Sequence, residues 1–184
     1  VQGDITKLDC DGVVNAANRS LLGGGGVMVP STGQQGRNCW RSVARCTAAA
    51  PESKNHQGYR LKAKYIIHTV GPIYSGTAED ATQLADCYRN SLALAKEHEL
   101  HSIAFPAIST GVMHPLEDAT AIAVKTVAQW LEDHADYAMQ VIFCCFDART
   151  ERVYQQELCN SESGRMVVEL YLGKLDGHGS RILY

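Results

Sequence analysis

The residues whose types and spacing most clearly suit ligand binding or catalysis lie in one stretch, from Asn15-Ala16-Ala17-Asn18 to the four glycines Gly23–Gly26. Two β-branched residues precede the stretch and predict a strand. Backbone N–H groups after a strand can turn towards one point at glycines, because glycine adopts positive φ without a Cβ clash. Such a concave group of donors suits a phosphate or pyrophosphate. A flexible linker is the competing interpretation, but linkers pair glycine with serine rather than with an apolar strand.

A second loop of small residues, Ser109-Thr110-Gly111, could hold a diphosphate from the opposite side with its own backbone donors. Asp4 could accept a hydrogen bond from an exocyclic amine, and Phe146 could stack on a base. Asn18 offers a donor and an acceptor to a ribose hydroxyl. Taken singly, Asp4 is more typical of a turn or cap and Phe146 of a core. Their joint placement favours a nucleotide site.

The elements that must position these residues alternate along the chain. Strands are predicted at Val13–Ala17, Lys64–Val70, Ser102–Ile108 and Val141–Asp147, and helices at Thr82–Leu100, from Pro115 onwards and at Thr150–Leu158. This alternation predicts an α/β domain whose mainly parallel sheet has helices on both faces. Ligands of such sheets bind beyond the carboxyl ends of the strands, where all the candidate residues fall.

Composition narrows the functional classes. The 184 residues, 45% apolar and 20% charged, predict one globular domain with a sizeable core. A net charge of −3 does not favour nonspecific binding to nucleic acid. The sequence contains neither a signal peptide nor an apolar stretch of about 18 residues, so we expect no membrane span. Seven cysteines without a CxxC pair predict reduced thiols, no metal site and a cytoplasmic location.

Five motifs together resemble the macrodomain family, and within it the MacroD type, which includes bacterial O-acetyl-ADP-ribose deacetylases. The motifs are Gly3–Thr6, Val14–Asn18, Leu21–Val27, His68–Pro72 and Phe105–Val112. The resemblance covers most of residues 1–158 apart from 28–57. It implies a single domain over residues 1–184 with a three-layer α/β/α fold and a mixed, mainly parallel central sheet. It also implies a monomer that needs neither cofactor nor metal.

The resemblance implies that the domain binds ADP-ribose. Members of the subgroup remove ADP-ribose from acidic side chains of mono-ADP-ribosylated proteins, or the acetyl group from O-acetyl-ADP-ribose. Adenine is expected at Asp4 and Ile5, the diphosphate between the two loops and the distal ribose near the catalytic Asn18. The ligand-binding positions implied are Asp4, Ile5, Asn15, Asn18, Gly24, Gly25, Gly26, Val27, Ser109, Thr110, Gly111, Val112, Met113 and Phe146.

The chain departs from the family directly after the glycines. The family continues Val-Asp-Gly-Ala-Ile-His-Arg-Ala-Ala-Gly, and its Asp is the proposed general base or the group that positions the attacking water. Met28 stands at that catalytic position here, and a thioether cannot do acid–base work. A second departure, at Val112–Pro115, is one residue shorter and lacks an aromatic that covers the distal ribose.

A shift of reading frame accounts for the first departure. The family peptide written GAT GGT GCC ATC CAC AGG GCA GCA GGG loses one base and reads Met-Val-Pro-Ser-Thr-Gly-Gln-Gln-Gly, which is the sequence from Met28 to Gly36. The family pattern resumes at Gly58. We therefore hypothesise that residues 28–57 are translated out of frame, through a sequencing error, a cloning lesion or a pseudogene; a natural divergent insertion is the alternative. Within this segment, apolar spacing predicts a helix over Arg37–Ala50.

The sequence leaves three functions open: a hydrolase with an altered catalytic loop, a non-catalytic ADP-ribose reader, and a phosphatase acting on ADP-ribose 1″-phosphate. A nicotinamide dehydrogenase is disfavoured, because Gly23–Gly26 lacks the spaced G-x-G-x-x-G pattern and no acidic residue follows at a strand end. The tail over residues 160–184 is left without a role.

Overall fold

The structure, a computed structural model, describes residues 1–17, 47–49, 62–72, 74–109 and 115–160. Its elements are a short 3₁₀ helix at Ile5–Lys7, β1 (Gly12–Ala17), β2 (Thr47–Ala49), β3 (Tyr65–Val70), α1 (Ala78–Glu97), β4 (Ser102–Pro106), α2 (Leu116–Asp133), β5 (Gln140–Cys144) and α3 (Ala148–Asn160). The five strands form one sheet in the order β2-β3-β1-β4-β5. Only β2 is antiparallel to its neighbour, so the predicted α/β class with a mixed, mainly parallel sheet is confirmed.

The central strands are apolar on both faces because both faces are covered. Side chains of one face, including Val14 and Phe105, share a core with α1, α2 and α3. Side chains of the other face, including Val13 and Ile142, pack with the N-terminal segment and the buried Ile5. Alternation along a strand thus sorts its residues between two cores.

The adjacent Cys144 and Cys145 show this alternation. Both are buried, and they lie in different cores. Burial raises the pKa of the Cys144 thiol to about 11 and that of Cys145 to about 12. Both side chains therefore stay protonated and pack as small hydrophobic groups.

The N-terminal segment extends the sheet beside β5. Gln2 forms a parallel bridge with Cys145, and the Gly3 N–H donates to the Cys145 carbonyl oxygen over 3.1 Å. Asp4 therefore follows the end of a strand-like segment, which agrees with the sequence-based expectation. This placement brings it to the same edge of the sheet as the end of β5.

Helix α1 begins at Ala78, earlier than its predicted start at Thr82, because the Asp80 carboxylate in its first turn binds the backbone of the turn that precedes the helix. Asp80 accepts hydrogen bonds from the backbone N–H groups of Ser75 (2.7 Å), Gly76 (2.9 Å) and Thr77 (3.1 Å). These bonds, that of Ser75 foremost, hold the pKa of Asp80 below its usual value. The carboxylate satisfies donors that a helix N-terminus leaves unpaired.

The helix predicted over Arg37–Ala50 is wrong at its C-terminal end. Thr47–Ala49 form strand β2 and pair antiparallel with β3, with Thr47 opposite His68. The edge of β3 offers unpaired backbone groups, and pairing with them overrides a helical spacing of apolar residues. The rest of that prediction lies outside the described residues. Within the part of the chain that the structure describes, no helix is both long and apolar enough to cross a bilayer.

Candidate functional site

The carboxyl ends of β1, β3, β4 and β5 lie at one edge of the sheet, because these strands are parallel. Asn15 lies near the end of β1. Ser109 follows β4, Phe146 follows β5, and Asp4 follows the segment that pairs with the end of β5. The structure thus brings these predicted site residues to the crevice side of an α/β sheet.

Phe146 does not belong to the core. Its side chain is 92% exposed, the highest value among the large apolar residues that the structure describes as exposed. Asp4, at the same edge, is half exposed and has its carboxylate 3.9 Å from the Lys7 amino group. Ile5 is buried, so it offers a ligand its main chain rather than its side chain. An exposed aromatic ring can stack on a base, and a carboxylate at the same edge can accept a hydrogen bond from the amine of that base.

The chain beside Phe146 is fixed by Asp147, which caps α3. One carboxylate oxygen of Asp147 accepts from the Thr150 backbone N–H over 2.8 Å, and the other accepts from the Thr150 hydroxyl over 3.0 Å. The Thr150 backbone bond is the main cause that holds the pKa of Asp147 below its usual value. Asp147 is therefore ionised and engaged in the cap, which orients the backbone that carries Phe146.

Asn15 pairs with His68 across β1 and β3. The two residues are opposite in register, and the Asn15 Nδ2 lies 3.1 Å from the His68 Nδ1. Burial lowers the pKa of His68, so its imidazole is neutral at neutral pH. With the amide nitrogen as donor, Nδ1 accepts and the ring proton lies on Nε2; this tautomer is assigned from the hydrogen bond.

Ser109 adopts a backbone conformation that a serine rarely takes. Its φ is +61°, in the left-handed region, which costs on the order of 1 kcal/mol or more for a residue with a Cβ. Its hydroxyl donates to the Pro72 carbonyl oxygen over 3.3 Å. Strain of this kind concentrates where a loop must present its backbone to a ligand.

The remaining predicted positions lie outside the described residues. They are the catalytic Asn18 and Met28 and the ligand positions Gly24, Gly25, Gly26, Val27, Thr110, Gly111, Val112 and Met113. Most of residues 28–57 and residues 161–184 of the tail also lie outside the described residues. In the described part, no group of three or more His, Cys, Asp or Glu side chains could hold a metal ion.

Three residues at this edge are given no individual site role by the sequence: His68 and Gly71, which lie in the motif His68–Pro72, and Asp147, which ends a predicted strand. An Asp three residues before Thr150 is typical of a helix N-terminus, so the sequence does carry a capping signal for Asp147. The pairing of His68 with Asn15 depends on strand register, which a single sequence does not specify.

Comparisons with known proteins agree with this architecture. The family model of the Macro domain matches residues 14–123. Over 163 residues the chain is 47% identical to a macro domain-containing protein of Chlorobaculum tepidum, covering 86% of this chain and 93% of that protein. It is 46% identical to the ADP-ribose glycohydrolase MACROD1 of Rattus norvegicus, covering 85% of this chain but only 62% of the rat protein.

Solved structures give the same result. The macrodomain of Oceanobacillus iheyensis with ADP aligns with a TM-score of 0.73 at 37% identity, covering 86% of this chain and 87% of that one. A mutant of that macrodomain with ADPR aligns with a TM-score of 0.72 at 36% identity, covering 86% and 89%. These likenesses confirm the predicted fold. The chain belongs to the macrodomain family, and its relatives include the MacroD type.

Proposed function

We propose that this chain binds ADP-ribose at the carboxyl edge of its sheet, and that it is a MacroD-type hydrolase with an altered catalytic loop. The observation that carries the proposal is the exposed Phe146 at the same edge as Asp4. Phe146 stacks on the adenine, and Asp4 accepts from its exocyclic amine. The related macrodomain structures with ADP and with ADPR support this choice of ligand.

In this proposal the diphosphate lies between Gly24–Val27 and Ser109–Met113, held by backbone N–H groups. Asn15 supports the end of β1, and Asn18 orients the distal ribose. The left-handed backbone of Ser109 supports the second of these two loops as a ligand loop, because it turns the chain sharply just beyond β4. Catalysis calls for no cofactor and no metal.

Turnover is expected to be weak or absent. The reaction removes ADP-ribose from an acidic side chain or an acetyl group from O-acetyl-ADP-ribose, and both need an activated water. Met28 occupies the position of the family Asp and cannot take a proton from that water. Loss of one general base typically costs about 10²- to 10⁴-fold in rate.

The same substitution supports a second candidate, a reader that binds ADP-ribose without chemistry. A phosphatase acting on ADP-ribose 1″-phosphate would use the same cleft. The three candidates share a ligand and differ only in whether a bond is broken, and in which one. They are therefore separated by product analysis rather than by affinity.

A cytoplasmic location and a monomeric state belong to this proposal. Among the described residues, Cys10, Cys144, Cys145 and Cys159 are free thiols, and Cys159 is the exposed member of this group. Free thiols are typical of proteins in a reducing compartment.

The test is calorimetry of the full chain with ADP-ribose, run beside three release assays. The assays use mono-ADP-ribosylated protein, O-acetyl-ADP-ribose and ADP-ribose 1″-phosphate. We expect one ADP-ribose per chain and little product in any assay. A parallel protein carrying the family sequence over residues 28–57 separates a damaged loop from a wrong ligand. If neither protein binds ADP-ribose, the proposal is rejected; rapid release by the given chain would refute the altered loop.

A further inference from the structure

The loops that follow β3 and β4 contact each other, although β1 lies between these strands in the sheet. Gly71 is the point of closest approach. A Cβ at this position would lie 2.3 Å from the Ser109 Oγ and 3.0 Å from the Ile108 Cγ2. Real Cβ atoms essentially never occur at the first distance, so a side chain at position 71 would force the Ser109 hydroxyl out of its hydrogen bond with Pro72. Glycine at position 71 therefore permits the close approach of the two loops.

Ser109 is held from two sides. The preceding Ile108 is 1% exposed and anchored in the core under α1 and α2. On the other side, the Ser109 hydroxyl donates to the Pro72 carbonyl oxygen. These contacts offset the unfavourable left-handed backbone of Ser109 and fix the direction in which the chain leaves β4.

We propose that Gly71, Pro72 and Ser109 form a latch between the loops after β3 and β4, which positions the backbone at Ser109 for the ligand. In this latch the Ser109 hydroxyl donates its hydrogen bond to the Pro72 carbonyl oxygen rather than to the phosphates, so the main-chain N–H groups are left to contact the phosphates. Gly71 and Ser109 are therefore positioning residues. The inference rests on the proposed function, because it assigns the fixed backbone to ADP-ribose binding.

A double-mutant cycle tests the latch. Gly71→Ala introduces the clashing Cβ, Ser109→Ala removes the hydroxyl that it meets, and the double variant combines both. In the double variant the Ser109 Cβ remains 3.7 Å from the new methyl group, an ordinary contact, and only the Ile108 methyl must shift. Gly12→Ala is the matched control at the opposite edge, because its Cβ would lie 3.0 Å from the end of the Leu100 side chain and at ordinary contact distances from Ser102 and Ile103.

Thermal unfolding and ADP-ribose affinity are measured for each protein. We expect Gly71→Ala to lower the melting temperature and to weaken affinity roughly tenfold or more, since overpacking displaces the loop. Ser109→Ala loses one hydrogen bond and is expected to weaken affinity by only about two- to tenfold. The double variant should recover most of the loss caused by Gly71→Ala, whereas Gly12→Ala should leave affinity unchanged.

Two results would overturn the latch. If Gly71→Ala changes the melting temperature and the affinity equally with and without the Ser109 hydroxyl, the two residues are not energetically coupled. If Ser109→Ala abolishes affinity without changing the melting temperature, the hydroxyl is a ligand group. Should Gly71→Ala fail to fold, the comparison of the double variant with Ser109→Ala decides, because a folded double variant is expected. Absence of ADP-ribose affinity in the unmutated protein rejects the proposed function instead, while the unfolding cycle still decides whether the latch exists.

Discussion

Both edges of the sheet pair polar groups with each other, but the large apolar side chain that is most exposed in the described part of the chain, Phe146, lies at the carboxyl edge. At the amino edge, the Asp11 carboxylate accepts from the backbone N–H groups of His101 and Ser102, both at 3.1 Å, and from the Ser102 hydroxyl at 2.9 Å. The Lys64 amino group adds a fourth donor at 3.3 Å. Desolvation works against the charged form of Asp11, but these bonds outweigh it and lower the pKa.

The rest of the amino edge is closed in the same manner. The Tyr137 hydroxyl donates to the Leu100 carbonyl oxygen over 2.7 Å, and its ring stacks on His101 with centroids 4.9 Å apart. The His101 Nδ1 lies 2.7 Å from the Ala138 carbonyl oxygen. Polar groups at this edge bind each other and secure the turns that lead into β4 and β5.

At the carboxyl edge the chain instead keeps an aromatic ring in solvent, at Phe146, whereas a left-handed residue with a side chain occurs at both edges, as Ser109 here and as Glu99 at the amino edge. The exposed ring does not add to the stability of an isolated domain. A feature that stability alone does not select is expected at a binding site. The contrast predicts that changes at the carboxyl edge alter ligand affinity or turnover, with or without a change in stability, whereas changes at the amino edge alter stability alone.

The largest effect is expected from residues 28–57, which we propose include an altered catalytic loop. Replacing residues 28–57 by the family sequence should raise turnover by about 10²- to 10⁴-fold, because it restores the general base together with its loop. Met28→Asp alone should not restore turnover, since the surrounding residues remain those of the altered segment. Single-turnover release assays measure both. Full recovery from Met28→Asp alone would contradict the view that the whole loop is changed.

Phe146→Ala should weaken ADP-ribose affinity by roughly 5- to 100-fold, because stacking of a base on an aromatic ring contributes about 1–3 kcal/mol. The melting temperature should not fall, since the ring is exposed. Phe146→Trp keeps the stacking surface and serves as the conservative control. Equal affinity of the alanine and tryptophan variants would remove Phe146 from the site.

Asp11→Ala should lower the free energy of unfolding by about 1–3 kcal/mol, because several donors lose a charged acceptor. Its affinity for ADP-ribose should equal that of the unmutated protein. Denaturant unfolding and calorimetry check the two statements. Asp9→Ala, on an exposed neighbour, controls for the loss of one negative charge. A drop in ADP-ribose affinity for Asp11→Ala but not for Asp9→Ala would contradict the proposed difference in role between the two edges.

Asp4→Asn should weaken ADP-ribose affinity by about 3- to 30-fold, because the carboxylate loses its charge as an acceptor for the adenine amine. Asp9→Asn is the matched control at the amino edge. An analogue of ADP-ribose with unsubstituted purine in place of adenine, which lacks the exocyclic amine, should bind the two variants and the unmutated protein with similar affinity. A preference for the adenine form that survives in Asp4→Asn would place the amine elsewhere.

The smallest effect concerns His68. Burial lowers its folded-state pKa below the ordinary 6.5, so the unfolded chain takes up a proton first as the pH falls. His68 therefore makes stability decline as the pH drops from about 6.5 towards the folded-state pKa. His68→Gln should flatten this part of the stability curve. An unchanged slope in His68→Gln would show that the imidazole is not neutral in the folded state.

Much of the fold could be predicted from local patterns. Continuous apolar runs such as Val141–Cys144 specify strands that are buried on both faces, and the alternation of strands and helices specifies the α/β class. Strand β2 could not be predicted, because its pairing with β3 is tertiary and its residues carry a helical spacing. The motifs placed Asp4 and Phe146 at one edge, since parallel strands align their carboxyl ends.

What the sequence did not reveal depends on contacts between distant loops. The exposure of Phe146 and the closeness of Gly71 to Ser109 arise only when the strands are side by side. The hydrogen bond between Asn15 and His68 depends on register in the same way. Residue type and spacing therefore predict a candidate site at the carboxyl edge, but not which neighbours hold its residues in place.

The most direct test is an NMR titration with ADP-ribose that follows backbone amides at both edges, in the given chain and in one with residues 28–57 restored. We predict that the amides of Asp4, Ser109 and Phe146 shift on binding, while those of Asp11, His101 and Ser102 do not. Shifts concentrated at the amino edge, or the absence of shifts in both proteins, would contradict the assignment of the carboxyl edge as the ADP-ribose site.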